Sequence, residues 1–207
     1  MALLEVSGVS KRFGGLQALK PVSFRVEKGT IKAVIGPNGA GKTTLFNIVS
    51  GFLAPDTGSV AFQGEAIQGG PPHRVSALGL SRTFQHIKLF ARMSALENVM
   101  VGRHVRSRAG FVAGMLHLPF TSREEKEVRT RSLELLDFLG IATLADLDAT
   151  SLSYGQQRAV ELARALASEP AMLLLDEPAA GLNMRETADL ARLIQRIRDR
   201  GVTVLIV

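Results

Sequence analysis

The sequence contains no cysteine among its 207 residues. This absence excludes disulfide bonds, thiolate metal sites and a cysteine nucleophile. No apolar stretch approaches the roughly 20 residues that a membrane-spanning helix requires. The first residues also lack the basic segment and apolar core of a secretory signal. Because no spanning segment and no signal are visible, we expect the chain to stay in the cytoplasm, and any membrane role requires another subunit. No internal repeat is visible either, so we expect one functional unit.

The composition is that of an ordinary globular protein. Hydrophobic residues make up 46% of the chain and charged residues 21%, which is typical of a folded protein and not of disorder. The length corresponds to about one domain. The net charge of +6 suits an anionic ligand, nucleic acid or an anionic lipid surface, and equally a solvated surface without a partner.

Residues 36 to 43 match the phosphate-binding pattern G-x-x-x-x-G-K-[ST], directly after an apolar run at 31–35. Glycines let the backbone curl so that successive N–H groups face a polyphosphate. A helix opening at Lys42 adds its positive dipole end, Lys42 reaches the β- and γ-phosphates, and the Thr43 hydroxyl is placed to bind Mg²⁺. The pattern therefore predicts binding of a nucleoside triphosphate. The predicted loop residues are Gly36, Pro37, Asn38, Gly39, Ala40, Gly41, Lys42, Thr43 and Thr44.

A second signal lies at the end of a predicted strand at 171–176. This apolar strand delivers Asp176 and Glu177 at its carboxyl end, where parallel sheets present their ligands. Asp176 is suited to hold Mg²⁺, directly or through water. Glu177 points in a different direction and is placed to polarise an attacking water molecule.

A third segment, Leu-Ser-Tyr-Gly-Gln-Gln at 152–157, opens a predicted helix at 153–168. Ser153 has the position of an N-cap, and Gly155 leaves the N–H groups of the first turn open. Taken alone, the segment is equally a well-capped helix. Together with the other two motifs it indicates a second helix N-terminus suited to phosphate.

The order of strands and helices predicts an α/β fold with a parallel sheet. Short strands at 3–9 and 22–26 and a strand at 59–63 indicate a small antiparallel part near the N-terminus. Two capping boxes, at Ser94 with Glu97 and at Ser122 with Glu125, mark helix starts in the middle of the chain. We expect a core at about 1–85 and 161–207 and an inserted helical lobe at about 86–160.

These motifs, in this order and spacing, resemble those of ABC-type ATPase subunits over the whole chain. The resemblance implies a single P-loop NTPase core with a RecA-like parallel sheet, an N-terminal antiparallel β subdomain and an inserted helical subdomain. It also implies ATP hydrolysis with Mg²⁺ bound by Thr43, Gln85 and Asp176, with Glu177 and Gln85 as catalytic residues. Gln85 matches the glutamine that contacts Mg²⁺ and water and links the two lobes, and Phe13 occupies the place of the aromatic residue that stacks on adenine.

The resemblance further implies a head-to-tail dimer. ATP on the phosphate loop of one copy is then completed by the signature residues Ser153, Tyr154, Gly155 and Gln156 of the other copy. The Ala-Gly-Leu-Asn segment at 180–183 matches the loop that lines the dimer interface. The family more often has Asp where this chain has Asn183, so the contacts across the interface are expected to differ.

Finer features are similar to the ATP-binding subunits of branched-chain amino acid importers. The resemblance then implies integral membrane permease subunits and a second ABC ATPase subunit as partners, a substrate-binding protein as an indirect partner, and a peripheral place at the cytoplasmic face of the inner membrane. Alternatives are an ATPase of lipopolysaccharide or urea transport, or a soluble ABC protein acting on nucleic acid or the ribosome; no nucleic acid is expected. A basic, apolar segment at 102–121 is expected to dock on a membrane subunit or lipid headgroups, or to belong to the helical lobe. The segments that carry this similarity lie at 82–90, 102–121, 153–158 and 179–183.

One member of the family pattern is absent from the sequence. The family places a histidine that contacts the γ-phosphate just after a strand that here ends at Val207, the last residue. The four histidines of the chain precede or lie within the helical lobe and do not match that role: His73, His86, His104 and His117. The expectation is therefore a chain truncated at its C-terminus, of uncertain activity in this form.

Overall fold

The computed structural model describes residues 2–83, 85, 87–103 and 119–207, with the backbone alone described at 119–123. Strands are β1 Ala2–Phe13, β2 Leu16–Glu27, β3 Ile31–Ala33, β4 Thr57–Phe62, β5 Glu65–Ala66, β6 Leu80–Arg82, β7 Met172–Leu175 and β8 Thr203–Ile206. Helices are α1 Lys42–Val49, α2 Pro72–Ala77, α3 Ala95–Arg103, α4 Pro119–Phe138, α5 Tyr154–Ala167 and α6 Met184–Asp199. The larger part of the predicted docking segment at 102–121 lies outside the described residues.

The chain divides into two compact units. The first unit comprises Met1–Gln85 and Ala171–Val207, and the second comprises His86–Pro170. The second unit extends beyond the limit of about 160 expected for the helical lobe, because helix α5 continues to Ala167. None of the helices in the described ranges combines the length and the apolar character that a membrane span needs.

The first unit contains two four-stranded sheets. One is antiparallel with the order β2-β1-β4-β5, and the other has the order β3-β8-β7-β6 with parallel pairing throughout. In the parallel sheet Leu80 lies opposite Met172, and Ile31 lies opposite Val204. All four residues of β7 are buried, as a strand covered on both faces requires. This arrangement confirms the predicted α/β fold with a parallel sheet and an N-terminal antiparallel sheet.

A large apolar cluster lies between the elements of the first unit. Leu4, Val6 and Val9 of β1 enter it from the antiparallel sheet, Phe46 and Ile48 enter it from helix α1, and Met172 and Leu174 enter it from β7. Helix α1 thus has one face fixed in the core while its N-terminal turn carries the phosphate loop. Burial of the helix therefore positions the loop at the carboxyl end of the parallel sheet.

The second unit is built from helices α3, α4 and α5. Leu96, Val99, Leu136 and Val160 are among the residues of its own apolar cluster. The predicted capping box at α3 is present, since Ser94 N donates to Glu97 Oε2 at 2.7 Å and Glu97 N donates to Ser94 Oγ at 3.1 Å. The capping box predicted at Ser122 is wrong, because helix α4 already begins at Pro119.

Candidate functional site

The phosphate loop connects strand β3 to helix α1. Gly41 is the N-cap of the helix and has φ of +88°, in the left-handed region that favours glycine. A Cβ at this position would lie 2.4 Å from the carbonyl oxygen of Ala18, so the loop packs against strand β2 at a distance that excludes a side chain. No described side chain caps helix α1, and the N–H groups of its first turn suit an anionic ligand.

Lys42 folds back over this loop. Its Nζ donates to the carbonyl oxygens of Gly36 at 2.8 Å and Pro37 at 3.0 Å. Ala40 N also donates to Pro37 O at 3.2 Å, which closes a tight turn. The loop therefore holds its ammonium group beside the helix N-terminus. Of the remaining predicted residues, Pro37, Asn38, Gly39 and Thr43 are exposed in the loop, and Thr44 is partly exposed.

The two predicted carboxylates follow strand β7 directly. Asp176 is 2% exposed, whereas Glu177 is only partly buried. Glu177 has φ of +47°, an uncommon conformation for a residue other than glycine and one that is often found at functional sites. This backbone turn sends the two neighbouring side chains to different surroundings.

The structure brings Gln85 and Glu177 together. Gln85 Nε2 donates to Glu177 Oε2 at 2.9 Å, so the two side chains predicted to be catalytic contact each other although 92 residues separate them. Gln85 is exposed. The hydrogen bond fixes one oxygen of the Glu177 carboxylate and limits its orientation.

Sequence reasoning missed Arg82, which ends strand β6. Arg82 Nη2 donates to Asp176 Oδ2 at 2.9 Å, and its Nη1 donates to Asn47 Oδ1 at 2.8 Å and to Ser50 Oγ at 2.9 Å. The side chains of Arg82 and Asp176 are 6% and 3% exposed. The signal that could have found Arg82 is a charged residue at the end of a short strand, three positions before Gln85.

Beside the phosphate loop lies a pocket of about 440 Å³. One wall is formed by residues 17–22 of strand β2, and the other by residues 39–42 of the loop with Val34, Ile35 and Leu45. The volume lies in the range of small-ligand sites. Sequence reasoning did not identify the strand β2 residues, whose approach to the loop arises only from the tertiary packing of Ala18 on Gly41.

Phe13 lies at the end of strand β1, in the turn that leads to β2. Its ring is 51% exposed, and Lys11 Nζ lies 5.8 Å from the ring centroid. Asp56 contacts the same strand end. Its carboxylate accepts hydrogen bonds from Lys11 Nζ and from Arg12 N, both at 2.7 Å. The hydrogen bond from Lys11, followed by that from the Arg12 backbone, lowers the pKa of Asp56.

The signature residues lie in the second unit, at the start of helix α5. Ser153 is the N-cap: its Oγ accepts from Gln156 N at 3.4 Å, and its own N–H donates to Gln156 Oε1 at 2.9 Å. The turn is therefore less open than predicted, because one N–H of the first turn is bonded to Ser153. Tyr154 is 45% exposed, and Gly155 is partly exposed.

A buried ion pair supports this turn one helical turn further on. Arg158 Nη1 donates to Glu161 Oε2 at 2.7 Å, and both side chains are 2% exposed. Arg158 Nη2 also donates to the Tyr154 hydroxyl at 3.4 Å. The guanidinium thus links the exposed signature turn to the interior of the second unit.

The segment after Glu177 leads into helix α6. Ala179, Ala180 and Gly181 are exposed, and Asn183 caps the helix. Asn183 Oδ1 accepts from Glu186 N, and Asn183 N donates to Glu186 Oε2, both at 2.9 Å. The residue at which this chain differs from the common family pattern therefore has a local structural role.

The three residues predicted to bind Mg²⁺ have side chains of the right chemistry for this ion. Thr43, Gln85 and Asp176 offer a hydroxyl, an amide and a carboxylate oxygen, which are the hard ligands that Mg²⁺ prefers. Within the described ranges, no group of three or more His, Cys, Asp or Glu side chains is placed to hold a metal ion. Such a donor set matches an ion that keeps several waters and is bound together with substrate phosphates.

Comparison with known proteins agrees with this geometry. The profile of the ABC transporter family matches residues 19–180. The high-affinity branched-chain amino acid transport ATP-binding protein BraF of Pseudomonas aeruginosa is 44% identical over 206 residues, covering 99% of this chain and 81% of BraF.

Two solved structures are also similar. The ADP conformation of MJ1267, an ATP-binding cassette of an ABC transporter, has a TM-score of 0.84 and 34% identity over 100% of this chain and 80% of that chain. The dimeric structure of MJ0796, a bacterial ABC transporter cassette, has a TM-score of 0.81 and 25% identity over 98% of this chain and 87% of that chain.

Proposed function

The chain belongs to the ABC transporter family and is an ATPase of that family, and we propose that it drives the import of branched-chain amino acids. The observation that carries this proposal is the similarity, over 99% of the chain, to a protein named for that transport. Its partners are integral membrane permease subunits, which in turn contact a substrate-binding protein. The chain works at the cytoplasmic face of the inner membrane.

The triphosphate of ATP occupies the loop at 36–43. Backbone N–H groups of the loop and of the first turn of α1 donate to the phosphate oxygens. Lys42 exchanges its two carbonyl acceptors for oxygens of the β- and γ-phosphates, because a charged acceptor forms the stronger hydrogen bond. Thr44 adds a hydroxyl to the same turn.

The nucleoside lies on the antiparallel sheet side of the loop. The exposed ring of Phe13 provides a face for stacking on adenine. The pocket between residues 17–22 and the phosphate loop has room for the remaining part of the nucleoside. The Asp56 contacts at Lys11 and Arg12 hold the strand end that carries Phe13.

Thr43, Gln85 and Asp176 are the residues that would hold Mg²⁺ with the nucleotide, Asp176 directly or through water. When bound, Mg²⁺ neutralises charge on the β- and γ-phosphoryl oxygens. Asp176 is suited to this role because its carboxylate is held by Arg82, whose Nη2 lies 2.9 Å from Asp176 Oδ2. The carboxylate oxygen is therefore held in place at the carboxyl end of strand β7.

Glu177 acts on the attacking water. Its carboxylate accepts the proton as the water oxygen attacks the γ-phosphorus and the bond to the leaving ADP oxygen breaks. Gln85 restricts the carboxylate through the 2.9 Å hydrogen bond. One oxygen is thereby held while the other faces the water.

Two copies complete each other's sites. Ser153, Gly155 and the backbone of the α5 N-terminus of one subunit bind the γ-phosphate held on the loop of the other, with Tyr154 and Gln156 flanking it. The similar cassette MJ0796 has a dimeric structure, which supports the pairing of two subunits. The second subunit is a copy of this chain or a related ATPase, and the 180–183 segment lies at the interface.

The test uses the chain assembled with its co-purifying membrane subunits in liposomes. A binding protein loaded with leucine, isoleucine or valine is expected to stimulate ATP hydrolysis, because transport and hydrolysis are coupled. The amino acid should then appear on the side of the membrane that carries the ATPase subunits. The same binding protein loaded with no ligand is the control. Stimulation by an unrelated solute alone would contradict the proposed substrate.

The catalytic role is tested in the same preparation. Glu177→Gln is expected to lower turnover by about 10²–10⁴-fold while ATP affinity is kept, since only the proton acceptor is lost. Glu65→Gln makes the same chemical change on the exposed strand β5 and should leave turnover unchanged. Equal turnover in the two variants would show that Glu177 is not the base.

A further inference from the structure

Residues from two other parts of the first unit meet at the Arg82 side chain. Asn47 in helix α1 and Ser50, the C-cap of that helix, come from one part, and Asp176 directly after strand β7 comes from the other, all between 2.8 and 2.9 Å from the guanidinium. Arg82 also lies over the ring of Phe46, 5.8 Å from its centroid. The guanidinium is therefore held in one orientation by contacts on several sides.

The Arg82–Asp176 pair is almost completely removed from solvent. The side chains are 6% and 3% exposed, and at this depth solvent screens charges poorly. The negative charge of Asp176 is thus largely compensated before any ligand arrives. A carboxylate in this state attracts a free cation weakly, because the cation is repelled by the guanidinium beside it.

We propose that Arg82 is a positioning residue that prevents Asp176 from binding a divalent metal in the absence of nucleotide, so that the metal enters only together with the triphosphate. This inference rests on the proposed function of the loop and on the assignment of Asp176 as a metal ligand. The triphosphate adds several negative charges beside the pair, and these outweigh the single positive charge of Arg82.

The experiment measures metal binding without nucleotide, using Mn²⁺ alone as the probe. Mn²⁺ accepts the same oxygen ligands as Mg²⁺, and the electron paramagnetic resonance signal of unbound Mn²⁺ gives the bound fraction. Wild-type protein is expected to leave the Mn²⁺ free. Arg82→Met, which removes the charge but keeps an apolar stem, is expected to bind Mn²⁺ at least about tenfold more tightly.

Two matched variants identify the cause. Arg82→Lys keeps the positive charge and should exclude Mn²⁺ as wild type does. Arg82→Met with Asp176→Asn should lose the binding gained by Arg82→Met, because the carboxylate is gone. Mn²⁺ binding by Arg82→Met equal to that of wild type would overturn the proposal.

If Arg82→Met does not fold, Mn²⁺ binding by the wild-type protein still tests the proposal. Tight Mn²⁺ binding by nucleotide-free wild type would overturn the inference. No binding alone, followed by uptake of one Mn²⁺ on addition of a non-hydrolysable ATP analogue, would support it. Binding of a fluorescent ATP analogue in the presence of Mg²⁺ is measured in parallel. Failure of the wild-type protein to bind this analogue would refute the proposed function, whereas the nucleotide-free Mn²⁺ result tests Arg82 separately.

Discussion

Asp56 shows how a single residue can fix a distant part of the site. Its two carboxylate oxygens accept from the Lys11 side chain and from the Arg12 backbone, and both contacts hold the end of strand β1 that carries Phe13. These contacts require the ionised form of the carboxylate. The position of the ring predicted to stack on adenine is therefore linked to a charge that lies 43 residues further along the chain.

Asp56 should make stability depend on pH in the acid range. The pKa of Asp56 lies below its ordinary value of 3.8, first because of the hydrogen bond from Lys11. A lowered pKa in the folded state stabilises the protein above the unfolded value, and this contribution is lost as the pH falls through the folded value. Asp56→Asn should therefore unfold at lower urea than wild type at neutral pH, and the difference should shrink below pH 3.8.

The urea midpoints of both proteins across this pH range provide the measurement. Asp137→Asn, an exposed aspartate in helix α4, is the matched control and should show no such trend. A difference between wild type and Asp56→Asn that stays constant down to the most acidic sample would contradict the assignment.

At the residue scale, the motif residues were predictable and their supporting residues were not. Lys42, Asp176 and Glu177 are identified by local spacing, because their chemistry follows from the few residues around them. Arg82 contacts Asp176 across 94 residues, and no local pattern contains both. The positive φ of Glu177 is likewise a product of the tertiary structure.

At the scale of elements, helix starts were predicted best where the cap is a short polar contact. The capping box predicted at Ser94 formed and Ser153 is the predicted N-cap, since each contact needs only residues three positions apart. The box predicted at Ser122 was wrong, because the helix begins before that residue. Strands β1 and β2 extend further than predicted, to a tight turn in which Phe13 pairs with Leu16. Pairing between strands stabilises residues whose own sequence signals are weak, so their ends could not be placed from the sequence.

Helix α5 combines a structural cap and a proposed ligand contact in one residue, and two substitutions separate them. Ser153→Ala should destabilise the protein by about 1 kcal/mol, the usual effect of losing an N-cap. Ser153→Asp keeps an N-cap acceptor and should keep stability, but its carboxylate repels phosphate. Both variants should hydrolyse ATP about 10²-fold more slowly, as for loss of one charge-stabilising donor.

Thermal unfolding and steady-state phosphate release in the assembled transporter measure the two effects. Loss of activity in Ser153→Ala alone would be explained by the cap. Wild-type hydrolysis by Ser153→Asp would show that the signature turn does not contact the nucleotide.

At the scale of the whole molecule, the two sets of groups that we propose to bind phosphate lie in different units. The phosphate loop belongs to the first unit, and the Ser153 turn belongs to the second. The sequence predicted both sets and their division between two regions. In the proposed head-to-tail pairing, each copy binds one ATP on its own phosphate loop and contributes its signature turn to the ATP bound by the other copy.

This pairing predicts that two inactive variants restore each other. Lys42→Ala removes the loop cation, and Ser153→Asp blocks the signature turn, so each variant alone should hydrolyse almost no ATP. In a mixed pair, one site contains both changes and the other contains neither, so mixing should recover a substantial part of wild-type turnover. Hydrolysis measured after mixing over a range of ratios should peak near equal amounts.

Mixing either variant with itself at the same total concentration is the control. If the active pair contains a related ATPase, the two changes are placed on opposite subunits and on the same subunit for comparison. A mixture as inactive as its components, despite formation of the mixed pair, would exclude composite sites.

The hydrogen bonds from Lys42 to the Gly36 and Pro37 carbonyls have a consequence for product release. When ADP dissociates, the Lys42 ammonium is not left without hydrogen-bond acceptors, because these two carbonyl oxygens replace the phosphate oxygens. Its attraction for the departing ADP is thereby reduced. The same bonds preserve the curved backbone of the loop, so the next ATP binds to a preformed site. We therefore expect the rate of ATP rebinding to be set by diffusion and by the motions of the partner subunits, and not by refolding of the loop.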